Sequence, residues 1–173
     1  MKRVYVGIGS NIERERNVRA ALDRLAQIHE PLIVSPVYES EAMGFFGAAF
    51  FNLVVGFDTN LSLQELRLQL HGIERENGNA GNLPKFSARS LDLDLLTFGD
   101  FCGVACGVKL PRADIAEYAY ALWPLADIAG DELHPQLRIS YGALKQQFAK
   151  TQRLWPVPFY WNGRDVSALQ KVS

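Results

Sequence analysis

The chain has 173 residues, 48% of them hydrophobic, and a formal net charge of −1 at pH 7. That is near the size of one domain with one substantial core, and the balanced charge without any Lys/Arg run excludes an electrostatic footprint for nucleic acid or an anionic membrane surface. No apolar stretch reaches the ~18 residues of a bilayer span, and residues 1–7 run straight into a strand pattern, so a cytoplasmic protein without a signal peptide is expected.

Residues 2–8 alternate, with Val4, Val6 and Ile8 on one face, and Gly9-Ser10-Asn11 ends this first strand. From Arg14 to Ile28 the apolar residues Val18, Ala21, Leu22, Leu25 and Ile28 recur at helical spacing. Residues 32–38 read as a second strand, which Pro36 places at an edge or bulge, and a loop of mostly small residues from Ser40 to Ala49 leads into a third strand over 50–57. Ser62-Leu63-Gln64-Glu65 matches a capping box, and Leu63, Leu66, Leu70 and Ile73 supply the stripe of a second helix ending near Gly78.

After a loop over 77–88 comes Ser90-Leu-Asp-Leu-Asp-Leu-Leu-Thr-Phe98. Its alternation sets Leu91, Leu93 and Leu95 on a core face and Asp92 and Asp94 together on the other, with Cα atoms about 6–7 Å apart. Two acids side by side repel unless a cation offsets them, so the pair reads as a site for one cation or two bridged ones. An isolated Asp-x-Asp on a half-exposed strand more often just faces water. Here Arg89 leads into the strand, ready to share the charge or contact the same anionic ligand.

Further on, residues 118–129 read as a helix despite Pro124, and Ser140 caps another running to about Lys150. Trp155, Phe159, Tyr160 and Trp161 make the tail too aromatic for a disordered linker, so it is expected to pack on the domain or on another subunit. Cys102 and Cys106 are the two cysteines and lack a second pair or nearby His, so they read as reduced thiols and not as zinc ligands. The first hundred residues thus follow the order β-α-β-β-α-β of a ferredoxin-like α+β fold, an antiparallel sheet covered by helices, with helices and strands added at the C-terminal end.

Gly9-Ser10-Asn11, Phe50-Phe51-Asn52, Ile73-Glu74, Ala88-Arg-Ser-Leu-Asp-Leu-Asp-Leu95 and Ala121-Leu-Trp-Pro-Leu125 together resemble the 6-hydroxymethyl-7,8-dihydropterin pyrophosphokinase family. The likeness runs from residue 2 to about 150, leaving 151–173 as an aromatic extension of a single pyrophosphokinase-like domain over 1–173. The resemblance implies transfer of the β,γ-diphosphate of ATP to the hydroxymethyl oxygen of a reduced pterin, in folate biosynthesis. It implies two Mg²⁺ ions on Asp92 and Asp94, with Arg89 beside them. Glu74, Lys85, Arg89, Leu95 and Arg112 are the expected nucleotide-binding positions. Ser40, Met43, Phe50, Asn52, Phe86 and Tyr120 are the expected pterin pocket, with the Asn52 amide reading the ring edge and Phe86 and Tyr120 sandwiching it. Partners are then ATP and a pterin, with no nucleic acid and no membrane, and a monomer is favoured.

The chain departs from the family where ATP phosphates are gripped. Asn79 and Gly81 stand where the family carries loop arginines, Arg112 replaces a histidine after Pro111, Tyr118 replaces an arginine, and Ser87-Ala88 replaces Gly-Pro. Lys is a mobile point charge and does not reproduce paired planar guanidinium donors. The alternative to an active enzyme is therefore a paralogue that binds pterin or nucleotide with little transferase activity, and, more remotely, an interaction module without ligand chemistry.

Overall fold

The computed structural model describes residues 1–42, 47–78 and 85–168. An antiparallel sheet organises it, built on β1 (Lys2–Ser10), β2 (Ile33–Val34), β3 (Val37–Ser40), β4 (Phe50–Thr59) and β5 (Asp92–Phe98). Its order is β5-β1-β4-β3, with the short β2 also on β4 and every pairing antiparallel. This is the ferredoxin-like arrangement that the element order predicts. The expected second strand is split in two, because Ser35 and Pro36 interrupt the ladder: Pro36 has no N–H, and the Ser35 hydroxyl accepts from Val54 N at 2.9 Å.

Helices α1 (Arg14–Ile28) and α2 (Leu63–Glu76) cover one face of the sheet. The capping box is formed, with Glu65 N donating to Ser62 Oγ at 3.2 Å and Ser62 N donating to Glu65 Oε2 at 2.8 Å. Such a cap contributes about 1 kcal/mol by satisfying amides that the first turn leaves open. Val4, Val6 and Ile8 of β1, Phe51, Leu53 and Val55 of β4, and Leu93 and Leu95 of β5 point into this layer against Val18, Leu22, Leu66 and Ile73.

A second helical layer covers part of the opposite face. A hairpin of β6 (Gly103–Ala105) and β7 (Val108–Leu110) leads to a one-turn α3 (Asp114–Glu117), then α4 (Ala119–Ala129) and α5 (Tyr141–Gln147). Ser140 caps α5 as expected, though the helix stops at Gln147, short of Lys150. Tyr5, Val54 and Leu96 meet Leu122, Leu125 and Tyr141 there. A bulge opposite Tyr5 and Val6 lets Leu95 and Phe98 face α1 and α2 while Leu96 faces α4.

The tail packs on its own chain. β8 (Leu154–Val157) extends the sheet along β3, and a hairpin of β9 (Tyr160–Trp161) and β10 (Arg164–Asp165) follows. Phe159 meets Phe51 edge-on at 6.0 Å between ring centres, and the Trp161 indole donates to Asp23 of α1 at 2.9 Å. Among the described residues no helix is long and apolar enough to cross a membrane. Cys102 and Cys106 are exposed free thiols.

Candidate active site

Strand register builds the floor of a cleft of about 320 Å³. Gly9 of β1 lies opposite Asn52 of β4 on one side and Asp92 of β5 on the other, while Gly7 lies opposite Val54 and Asp94. An amide, a bare backbone and a carboxylate thus stand in one row across three strands. The glycines carry no Cβ, and a side chain at Gly9 would project between Phe50 and Asn52, so their absence of side chain is what leaves the central strand as an open floor.

The acids are held in a charged and partly dry setting. Burial raises the Asp92 carboxyl above its ordinary pKa, Glu74 adds to this, and Arg89 opposes it. Asp94 is raised as well, first by burial and next by the Asp92 charge, with Arg112 pulling the other way. Arg112 Nη2 stands 3.4 Å from Asp94 Oδ1, and Arg112 Nε stands 3.4 Å from Asp114 Oδ2. That Nε is buried and makes no hydrogen bond within the described residues, which leaves the guanidinium with unspent donor capacity at the cleft.

Phe50, Asn52, Ser40, Phe86 and Tyr120 share the lining with the acids, as do Lys85 and Arg89. The Asn52 amide nitrogen donates to Ser40 Oγ at 2.7 Å, which directs its carbonyl toward the floor beside Gly9. Tyr118 joins the aromatic wall, edge-on to Phe86 at 5.8 Å and stacked on Tyr120 at 5.1 Å. The turn after β1 clasps two segments of the rim. Asn11 bonds Arg89 through both backbone groups, accepting from its N–H at Oδ1 at 2.7 Å and donating its own N–H to the Arg89 carbonyl at 3.0 Å. Its side-chain amide also donates to the Ala48 carbonyl at 3.0 Å, and Ser10 Oγ donates to the Ser90 carbonyl at 2.5 Å.

Most residues that the sequence singles out therefore meet in one place, and Leu95 and Glu74 do not. Leu95 is buried in the core beneath the sheet, because strand periodicity turns its side chain away from the face of Asp94. Glu74 is buried and absent from the lining; its Oε2 accepts from Leu93 N at 2.9 Å and its Oε1 sits 2.9 Å from His71 Nδ1. Met43, Asn79 and Gly81 lie outside the described residues. Sequence reasoning passed over Gly7, Asp114 and Glu41 as lining residues. The alternation that puts Val4, Val6 and Ile8 in the core would have put Gly7 and Gly9 on the face of the aspartates. Nothing local marks Asp114, which reaches the cleft through the turn after β7.

The donor set discriminates among cations. Among the described residues no cluster of three or more His, Cys, Asp or Glu side chains is placed to hold a metal. Two carboxylates on an open floor suit Mg²⁺, a hard ion that completes its octahedron with water and phosphate oxygens, and do not suit a closed zinc site.

Comparison with known proteins identifies the family. The family described as 7,8-dihydro-6-hydroxymethylpterin-pyrophosphokinase (HPPK) matches residues 5–130. A 2-amino-4-hydroxy-6-hydroxymethyldihydropteridine pyrophosphokinase of Pseudomonas aeruginosa is 38% identical over 135 residues, 76% of this chain and 83% of that protein. One of Aquifex aeolicus is 32% identical over 140 residues, 80% of this chain and 87% of that protein. A solved HPPK-DHPS chain in complex with substrates superposes with a TM-score of 0.65 at 12% identity, and the Plasmodium falciparum HPPK-DHPS chain with a TM-score of 0.67 at 12% identity. These cover 84% and 86% of this chain but only 43% and 44% of theirs, so the chain spans less than half of the solved chains, and at that identity they share its fold. The chain belongs to the 7,8-dihydro-6-hydroxymethylpterin-pyrophosphokinase family.

Proposed function

We propose that the cleft transfers the β,γ-diphosphate of ATP to the hydroxymethyl oxygen of 6-hydroxymethyl-7,8-dihydropterin, releasing AMP. The observation that carries this is the row Asn52–Gly9–Asp92 across β4, β1 and β5, which sets an amide for a pterin edge and a carboxylate for a metal on either side of a bare floor. Attack at the β-phosphorus breaks its bond to the bridging oxygen, which leaves with AMP. Such a transition state spreads charge over phosphate oxygens and needs in-line alignment, so positioning and neutralisation are the main demands on the protein.

Asp92 and Asp94 would hold two Mg²⁺ ions, which when bound neutralise phosphate charge and orient the transferred group. Arg89 and Arg112 line the cleft beside those acids and would meet phosphate oxygens, with Lys85 as a third cation. Asn52, oriented by Ser40, would pair its acceptor with the aminopyrimidinone edge, and Phe86, Phe50 and Tyr120 would enclose the ring. Glu74 would act beside the strand, holding the Leu93 N–H and hence the angle at which Asp92 and Asp94 leave it. A binding-only role would follow from missing phosphate contacts; Lys85, Arg89 and Arg112 on the lining support transfer instead.

AMP release from ATP, followed with and without the pterin at varied Mg²⁺, tests the reading. Pterin-dependent AMP that requires Mg²⁺ is expected; its absence at high enzyme concentration would defeat the proposal.

A further inference from the structure

Asp114 is a buried carboxylate, 6% exposed, that lines the cleft and has no part in the roles above. A buried carboxylate is costly unless charged or donor groups surround it, and its partners here come from three separate segments. Arg112 Nε lies 3.4 Å from its Oδ2, the Tyr120 hydroxyl donates to the same oxygen at 3.2 Å, and Lys85 Nζ lies 3.9 Å from its Oδ1. Lys85 also stands over the Phe86 and Tyr118 rings, at 5.3 and 5.0 Å from their centres. One carboxylate therefore touches two cations assigned to the phosphates and an aromatic residue assigned to the pterin pocket.

We infer that Asp114 is a positioning residue that aims Arg112 and Lys85 at the phosphate groups and links their placement to Tyr120, so that the pterin wall and the phosphate grip are coupled. The inference rests on the functional reading above for the identity of the two ends. The geometry favours aiming over simple competition with phosphate. Arg112 is spanned between Asp94 and Asp114, so without Asp114 it can swing onto Asp94 and blunt the pair that would hold the metal. The two roles have opposite signs: a competitor, once neutralised, lets ATP bind more tightly, whereas an aiming group, once neutralised, loosens it.

The test uses Asp114→Asn, Tyr120→Phe and the double variant, each checked for a wild-type circular dichroism spectrum. Steady-state kinetics gives KM for ATP and for the pterin, and calorimetry gives the affinity for a non-hydrolysable ATP analogue with Mg²⁺. Asp114→Asn is expected to raise KM for ATP and weaken the analogue by about tenfold or more, the size of one lost charge-assisted contact, with KM for the pterin changed much less. Tyr120→Phe keeps the ring and loses only the hydroxyl, so it is expected to weaken the analogue by about threefold. The double variant should be no weaker than Asp114→Asn alone, because both changes act through one group. Unchanged or tighter analogue binding in Asp114→Asn, or strictly additive losses, would overturn the inference. Should Asp114→Asn not fold, Tyr120→Phe decides alone, since an unchanged analogue affinity there breaks the link. Analogue binding is read without turnover, so failure of wild-type AMP formation would sink the functional reading and leave this inference separately decided.

Discussion

On one face of β5, Leu93 and Leu95 are sealed against α1 and α2; on the other, Asp92 and Asp94 open into the cleft while Leu96, farther along, is sealed again beneath α4. The same strand thus supplies a closed apolar layer and an active site, and what separates them is how far the second helical layer reaches. Where α4 and α5 cover the sheet the residues are apolar, and where that layer stops the floor is glycine, amide and carboxylate. Charge repulsion is tolerated there because the first face carries the packing that anchors the strand, and Glu74 ties the strand to α2 from the same side.

Substitutions on the two faces should separate activity from stability. The largest effect is expected at the acids: Asp92→Ala and Asp94→Ala should each lower kcat by about 10³-fold, since each removes a group that works on transition-state charge, while neither lowers the melting temperature much. Wild-type-like turnover in either variant would remove the metal assignment. On the sealed face, Leu93→Ala should cost about 2–5 kcal/mol of unfolding free energy, measured in denaturant, through lost burial and a cavity. Its folded fraction should keep turnover far closer to wild type than either acid variant does.

A smaller effect should have the opposite sign in stability. Asp94 has its carboxyl raised from 3.8 to about 7 by burial and by Asp92, so the folded chain holds that proton more tightly than the unfolded chain does. The metal-free protein should then lose stability through this pair as pH rises from about 4 to above 7, where the ionised pair is fully present. Asp94→Asn should remove the penalty and raise the metal-free melting temperature near pH 8 by roughly 2–4 °C, and Mg²⁺ should raise that of the wild type but not of the variant. A lower melting temperature in Asp94→Asn would show that its ion pair with Arg112 outweighs the repulsion.

Much of this contrast was legible in the chain because strand periodicity assigns faces. Leu91-Asp92-Leu93-Asp94-Leu95 declares two faces outright, and the same period carries Asn52 and Gly9 onto the acidic one. It also shows why Leu95 could not send its side chain into the cleft. Position along the face was not legible, because the limit of α4 and α5 is set by tertiary packing that no local pattern encodes. Thus Arg112 and Asp114, brought in by the turn after β7, had no signal for their pairing beyond being near in sequence. Glu74 followed the same rule, since its buried role depends on Leu93 lying across from α2. The break of the second strand at Ser35 and Pro36 was half readable: proline signals the interruption, whereas the Ser35 hydroxyl that replaces the ladder contact belongs to the folded state.

The proposed reaction moves a diphosphate and not a single phosphate. Phosphorus-31 NMR of a reaction containing ATP, Mg²⁺, the reduced pterin and catalytic enzyme tests it directly. Equal amounts of AMP and a pterin diphosphate, with its two coupled phosphorus resonances, are expected, with no signal growth in the Asp92→Ala control. Formation of ADP with a pterin monophosphate, or unchanged ATP beside bound pterin, would contradict it.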